Sequence, residues 1–463
     1  MSEKKYYEIT PAQDMINFML KYSFFHKQVI QIPASVVFTK RVKFDIMEKA
    51  LNLEIERNDC MRLRFKKSKG KYYETFLDEY KVKNVPVMTF KTREEQEAFL
   101  NADACKTIHH MKGELYRFYF FNTFDGRQGV YINVSHLIMD AAAVFIFFAD
   151  LFACYDHLAE GKELPKPLAK YEDAIKREND YINTPARVEA DKAFYDKFFK
   201  DGGEPIFNGV HGPELLKQAR IKKKNPNLRV LPSFDPIHDK AELIKRPISQ
   251  EDSEIIIKYL NESKVSPECL VQLGMRLHIA KLNKDVNDGL IDTYFITLCT
   301  RRKTLSDKRC GGSFTNTLPW RTVLPRELTF EEAIVRLQEL QHQIFRHQDY
   351  PFVQWRDLEN SIYHYSLADG ASTMMFSWFP LEKDTMNGWD YEFSGYCIGR
   401  YVMPLYTYAM KDARNNSLKF AYLFRNHKIS ADNINALHDN TVKALKMGCS
   451  DPKMTIGEIW DNL

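Results

Sequence analysis

The 463-residue sequence has no Cys-x-x-Cys pair, no apolar run of membrane-spanning length and no large excess of one charge. Its eight cysteines, from Cys60 to Cys449, stand far apart, so neither zinc-type nor redox-dithiol spacing is present. Reduced, mostly buried thiols and no metal are expected. With 66 basic against 62 acidic residues, the formal charge of +4 gives no field suited to nucleic acid. The longest apolar stretch, residues 141–151, is broken by Asp150 and falls short of the roughly 20 residues a membrane helix needs. The first residues, MSEKKYYEITPAQ, lack the apolar run of a secretory signal. A cytoplasmic protein without a membrane span is therefore expected.

A content of 44% hydrophobic and 28% charged residues suits a well-filled globular interior rather than disorder. The length suits two or three compact units. Thr10 and Pro11 form a helix start, with a helical pattern through Met15, Phe18 and Met19. Strand patterns follow at residues 29–39, 62–65 and 72–76, the last two joined by a Lys69-Gly70 turn, with an amphipathic helix at 44–57. Residues 115–122 and 129–134 read as a hairpin turning at Asp125 and Gly126, and its second strand runs into Ser135-His136. The apolar stretch after Asp140 indicates a buried helix packed on a sheet. Helical, charged segments fill residues 169–200. Gly202, Gly203, Pro226, Pro232 and Pro236 then interrupt any period, so residues 201–250 read as a crossover. Beyond it come helices at 267–281, 330–347 and 431–447, and strands at 293–300, 373–379, 402–410 and 418–424. The fold class is α/β, with mixed sheets in two halves of similar content: 1–200 and 251–463.

The segment Asn133-Val134-Ser135-His136-Leu137-Ile138-Met139-Asp140-Ala141 carries the chemistry: a strand delivers a histidine and an aspartate begins a buried helix. An imidazole with an ordinary pKa of about 6.5 can take a proton from an amine or alcohol attacking an acyl carbon. The alternative is a satisfied structural histidine. Asp140 either caps the following helix or pairs with an arginine. His347 and Asp349, beside Pro351, read as a helix end, and Lys222-Lys223-Lys224 as a solvated loop. Trp355, Trp378 and Trp389 read chiefly as core.

Five motifs in order resemble the condensation domains of nonribosomal peptide synthetases, within the chloramphenicol acetyltransferase-like superfamily. Thr10-Pro11-Ala12-Gln13 is similar to the family's Thr-Pro-x-Gln, and Met61-Arg62-Leu63-Arg64-Phe65 to its Leu-Arg-Thr-Arg-Phe. Ser135-His136-x-x-x-Asp140-Ala141 stands where the family has His-His-x-x-x-Asp-Gly. Gly312-Ser313-Phe314-Thr315-Asn316-Thr317-Leu318-Pro319-Trp320-Arg321 is similar to Gly-Phe-Phe-Val-Asn-Thr-Leu-Pro-Leu-Arg. His347-Gln348-Asp349-Tyr350-Pro351-Phe352 is similar to His-Gln-Asp-Val-Pro-Phe.

The resemblance implies two acetyltransferase-like halves in a V with a tunnel between them. It implies an acyl donor held as a phosphopantetheinyl thioester on an acyl or peptidyl carrier protein, or as acyl-CoA, and a small-molecule amine or hydroxyl acceptor. No bound cofactor is implied. His136 takes the place of the functionally central histidine. Asp140 would hold the loop by a salt bridge, with Arg62 its expected partner and Arg64 the second choice. Arg302 would be structural or tunnel-lining, and Thr315 and Asn316 would offer hydrogen bonds to an oxyanion. Two positions depart from the pattern: Ser135 replaces the first histidine, and Ala141 replaces the glycine, where a Cβ would narrow a close approach. These departures favour the rival expectation, a catalytically impaired scaffold that docks a carrier protein or ligand. His109 and His110 imitate the histidine pair but lie before the hairpin, where a solvated loop is expected.

Overall fold

The Thr10 hydroxyl accepts from the Gln13 backbone N–H while the Gln13 side chain accepts from the Thr10 N–H, a capping box that starts helix α1 (Pro11–Lys21). The computed structural model describes residues 5–23, 25–111, 113–366, 368–372, 374–379, 385–412 and 416–463. Among the helices that follow, those that frame the two large sheets and the histidine turn are α2 (Phe44–Arg57), α3 (Ala141–Glu160), α4 (Gln250–Ser263), α5 (Pro267–Leu282), α6 (Phe330–Arg346) and α7 (Ala431–Ser450). The strands of the two large sheets begin with β1 (Gln31–Phe38), β2 (Val87–Thr89), β3 (Tyr116–Asn122) and β4 (Gln128–Ser135). Next come β5 (Ala241–Pro247), β6 (Ile291–Thr300), β7 (Thr315–Leu324) and β8 (Met374–Phe379). The last are β9 (Thr385–Met386), β10 (Trp389–Gly395), β11 (Leu405–Asp412) and β12 (Ser417–Arg425). Thr373, the first residue of one expected strand, lies outside the described residues, as does Lys112 beside His109 and His110.

The chain forms two compact units. The first comprises residues 1–188, 300–316 and 383–400; the second comprises 189–299, 317–382 and 401–463. Two late segments thus pack with the first unit, a division that local sequence pattern does not carry. In the first unit the sheet order is β9-β10-β1-β4-β3-β2. Every residue of β4 is buried, as befits a central strand paired antiparallel with both β1 (Gln31 opposite Ser135) and β3 (Tyr116 opposite Val134). β2 adds parallel to β3, and β10 antiparallel to β1. Helix α3 is long and apolar enough to cross a membrane, but 61% of its apolar window is buried within the protein. Its Phe147, Phe148, Leu151 and Phe152 are core residues, and Phe152 stacks on Trp389 with ring centroids 4.4 Å apart.

In the second unit the order is β7-β6-β8-β11-β12-β5. The segment expected to be an irregular crossover instead supplies β5, an edge strand that tolerates Pro247 at its end because none of the described residues pairs on its outer side. The four-strand run β5-β12-β11-β8 repeats the pairing pattern of β1-β4-β3-β2: antiparallel, antiparallel, parallel. α2 and α4, each 14 residues, follow the equivalent strands β1 and β5. α3 and α7, each 20 residues, follow β4 and β12. His347 is the C-cap of α6, as its place before Pro351 predicts.

Candidate active site

β4 ends at Ser135, a tight turn follows, and Asp140 caps α3, with its Oδ1 accepting from the Ala143 N–H at 2.8 Å. His136 stands first in that turn, pinned by its backbone N–H donating to the Ile30 carbonyl at 2.8 Å. Its ring is only partly accessible, and Nδ1 is enclosed without a hydrogen bond of ordinary geometry. Burial holds the His136 pKa below the ordinary histidine value. The Asp140 charge and the carbonyls of His136 and Met139 pull the other way but do not prevail. The imidazole is therefore neutral near pH 7.

Asp140 is 2% exposed and its ion-pair partner is Arg302, at 2.9 Å. The Arg302 guanidinium also donates to the carbonyls of Asp307 (2.6 Å), Cys310 (2.5 Å) and Gly312 (2.5 Å) and lies over the Phe314 ring. Asp140 Oδ2 accepts from the Phe314 N–H at 2.9 Å. The aspartate thus joins the histidine turn to the Gly312-Ser313-Phe314 segment, all within the first unit. This corrects the expectation of an Asp140–Arg62 pair. Arg62 donates to the carbonyls of Ile55 and Glu56 at the end of α2 and to Leu77, satisfying groups a helix terminus leaves orphaned. Arg64 donates to the Leu63 carbonyl and lies over the Tyr80 ring. Thr315 and Asn316, 9% and 3% exposed, begin β7 immediately after Phe314.

Ser135 and His110 form a second corrected point. His110 is 5% exposed rather than solvated, and its Nε2 lies 3.0 Å from the Lys27 carbonyl. A carbonyl can only accept, so Nε2 carries the proton and Nδ1 accepts from the Ser135 hydroxyl at 2.8 Å. The Ser135 oxygen in turn accepts from the Leu137 N–H at 3.3 Å. Burial lowers the His110 pKa to about 4, which keeps this relay neutral. An imidazole from a distant loop thus tethers the serine that stands in place of the first histidine.

Sequence reasoning also left the roles of Gln13, Glu74 and Gly312 unassigned. Gln13 Nε2 donates to the Leu137 carbonyl (3.1 Å) and to Glu74 Oε2 (2.6 Å), so the Thr-Pro-x-Gln motif braces the turn beside His136. Burial pushes the Glu74 carboxyl up to about 8. A Cβ at Gly312 would overlap the Tyr171 ring, which explains the glycine that opens the fourth motif. Ala141 is the first residue of α3 and is partly accessible, so its Cβ is accommodated. Among the described residues no group of three or more His, Cys, Asp or Glu could hold a metal ion.

Residues 3–206 match the family model described as Condensation domain. Over 98% of its length the chain superposes on the first condensation domain of the calcium-dependent antibiotic synthetase, solved in complex with a substrate analogue, with a TM-score of 0.80 at 15% identity, covering 99% of that chain. In fold, and in sequence over residues 3–206, the chain is similar to condensation domains. Further condensation-domain structures are equally similar in fold. One is the starter condensation domain of rhizomide synthetase in complex with C8-CoA, with a TM-score of 0.79 at 14% identity, covering 98% of this chain and 97% of that one. The X-domain from teicoplanin biosynthesis gives a TM-score of 0.74 at 16% identity, with 98% of each chain covered. Among curated proteins, a plipastatin synthase polypeptide of Bacillus subtilis (strain 168) is 21% identical over 93% of this chain. A surfactin synthase polypeptide of the same organism is 23% identical over 99% of it. The condensation-like chain spans 16% and 12% of the length of these two relatives.

Proposed function

We propose that the protein is an acyltransferase of the condensation type, moving an acyl group from a thioester to an amine or hydroxyl acceptor. The observation that carries this reading is the neutral, half-enclosed imidazole of His136, held in a turn that the Asp140–Arg302 pair and the Gln13 amide brace. With its proton on the enclosed Nδ1, His136 offers Nε2 as the base. The acceptor N–H or O–H passes its proton to Nε2 as its heteroatom attacks the thioester carbonyl carbon. The C–S bond then breaks, the thiolate takes the proton, and an amide or ester leaves with a free thiol. A base so placed contributes a factor of about 10² to 10⁴, and holding donor and acceptor together supplies the remainder.

The donor is a carrier-bound phosphopantetheinyl thioester or an acyl-CoA, the second supported by the C8-CoA complex of the rhizomide starter domain. Mass-spectrometric transfer from a panel of acyl thioesters to pooled amines and alcohols tests the reading. A product joining the donor's acyl group to an acceptor is expected, and its absence with every donor would overturn it. The second reading, an impaired scaffold that binds a carrier protein, is favoured by Ser135 at the first histidine position and by the likeness to the X-domain. Carrier binding without turnover would select it.

A further inference from the structure

The strand–turn–helix that presents His136 recurs in the second unit with the strand end, the N-cap and the helix start each shifted by 290 residues: Ser135 to Arg425, Asp140 to Ser430 and Ala141 to Ala431. The side chains differ at the positions that matter. Asn426 occupies the place of His136, and Ser430 rather than an aspartate caps the helix, so the repeated turn lacks the base and the ion pair of the first. What it has instead is a basic cavity of about 30 Å³. Arg425, His427 and Lys428 line it from the turn, and His211, Asp235 and His238 from the segment before β5.

This cavity is short of acceptors. Arg425 is 7% exposed and donates to the Val402 carbonyl at 3.3 Å, but among the described residues it has no ion pair. Both ring nitrogens of His211 are buried without a hydrogen-bond partner. Asp235, the one carboxylate in the lining, already accepts from the backbone N–H groups of Ile237 and His238 and pairs with His238 Nδ1 at 3.0 Å. His238 stacks on His427 with centroids 4.0 Å apart. Ile429 carries the lining to the residue before the N-cap of α7, whose dipole favours negative charge. Burial lowers the His211 pKa to about 4, so its neutral ring offers one N–H beside the Arg425 guanidinium, and an oxyanion accepts from both at once. The volume suits one or two waters or one small anion.

We propose that this cavity binds a phosphate group, as the free ion or as the terminus of a small phosphomonoester. The site is separate from the His136 turn, so its test is independent of acyl transfer. Titrating the full chain with inorganic phosphate by calorimetry, at fixed ionic strength, should give one saturable site. His427 and Lys428 are exposed, so Lys428→Glu should fold normally while weakening phosphate binding at least about tenfold. Arg425→Lys, which keeps the charge but loses the planar fork, should weaken it as well. Lys222→Glu, at an exposed helix end outside the lining, and His136→Ala should leave it unchanged. Competition by methyl phosphate would assign the ligand as a monoester terminus, and its failure to compete would assign the free ion. No saturable binding above a chloride control, or binding indifferent to Lys428→Glu, would overturn the proposal.

Discussion

Replacing Arg302 with methionine tests the architecture beneath the histidine turn. The Arg302 and Asp140 side chains are 4% and 2% exposed. Methionine keeps most of the apolar stem but removes the charge and every donor. Asp140 would retain the N–H groups of Ala143 and Phe314, while the carbonyls of Asp307, Cys310 and Gly312 would lose the guanidinium that satisfies them. Removing one partner of a buried pair costs about 3–5 kcal/mol. The two remaining donors on Asp140 lower that figure, and the orphaned carbonyls, at about 1–3 kcal/mol each, raise it again. A loss of at least about 3 kcal/mol is expected in urea unfolding, in the transition of the first unit. Arg62→Met, which frees the helix-end carbonyls of Ile55 and Glu56 and that of Leu77 at a half-buried site, should cost about 1–2 kcal/mol. A double-mutant cycle sharpens the contrast. Asp140→Asn should couple to Arg302→Met by more than about 1 kcal/mol and add to Arg62→Met within about 0.5 kcal/mol. An Arg302→Met cost below about 1 kcal/mol, or coupling to Arg62 instead, would refute the assignment.

The folded protein holds a proton on Glu74 that the unfolded chain releases above about pH 4.5, because burial raises the folded value to about 8. Its contribution to stability is therefore greatest at low pH and is lost as pH rises from about 4.5 to about 8; Glu74→Gln should flatten stability across that window in thermal melts at stepped pH. Ser135→Ala leaves the Leu137 N–H and His110 Nδ1 without their shared partner and should cost about 1–3 kcal/mol in chemical unfolding, whereas Ser135→Thr should recover part of it. Gly312→Ala drives a Cβ into the Tyr171 ring and should cost about 1–3 kcal/mol or more, lowering the melting temperature by about 2–4 °C per kcal/mol.

Wherever a local period decides the outcome, the sequence is legible. The apolar run of α3, the hairpin of β3 and β4 and the capping sequence at Thr10 all form as their patterns predict. β5 is not legible, because flanking prolines mask a half-exposed edge strand that only its partner β12 reveals. Nor is β10, which joins β1 from a segment near the far end of the chain. The histidine turn is readable from its motif, but what braces it is not. Asp140 and Arg302 lie 162 positions apart, and nothing in the Arg301-Arg302-Lys303 run marks one guanidinium as buried. His110 misleads for the same reason: a histidine pair in a polar loop reads as solvated until Ser135, 25 positions on, supplies its partner.

The central claim is that His136 acts as a neutral base on an acceptor attacking a thioester, and the pH profile of acyl transfer in the wild type and in His136→Ala addresses it most directly. The account predicts transfer by the wild type with an acid limb below the ordinary histidine value of about 6.5, and a fall of about 10² to 10⁴ in the alanine variant, with the limb abolished. Transfer that survives His136→Ala at the wild-type rate, with the same acid limb, would contradict it.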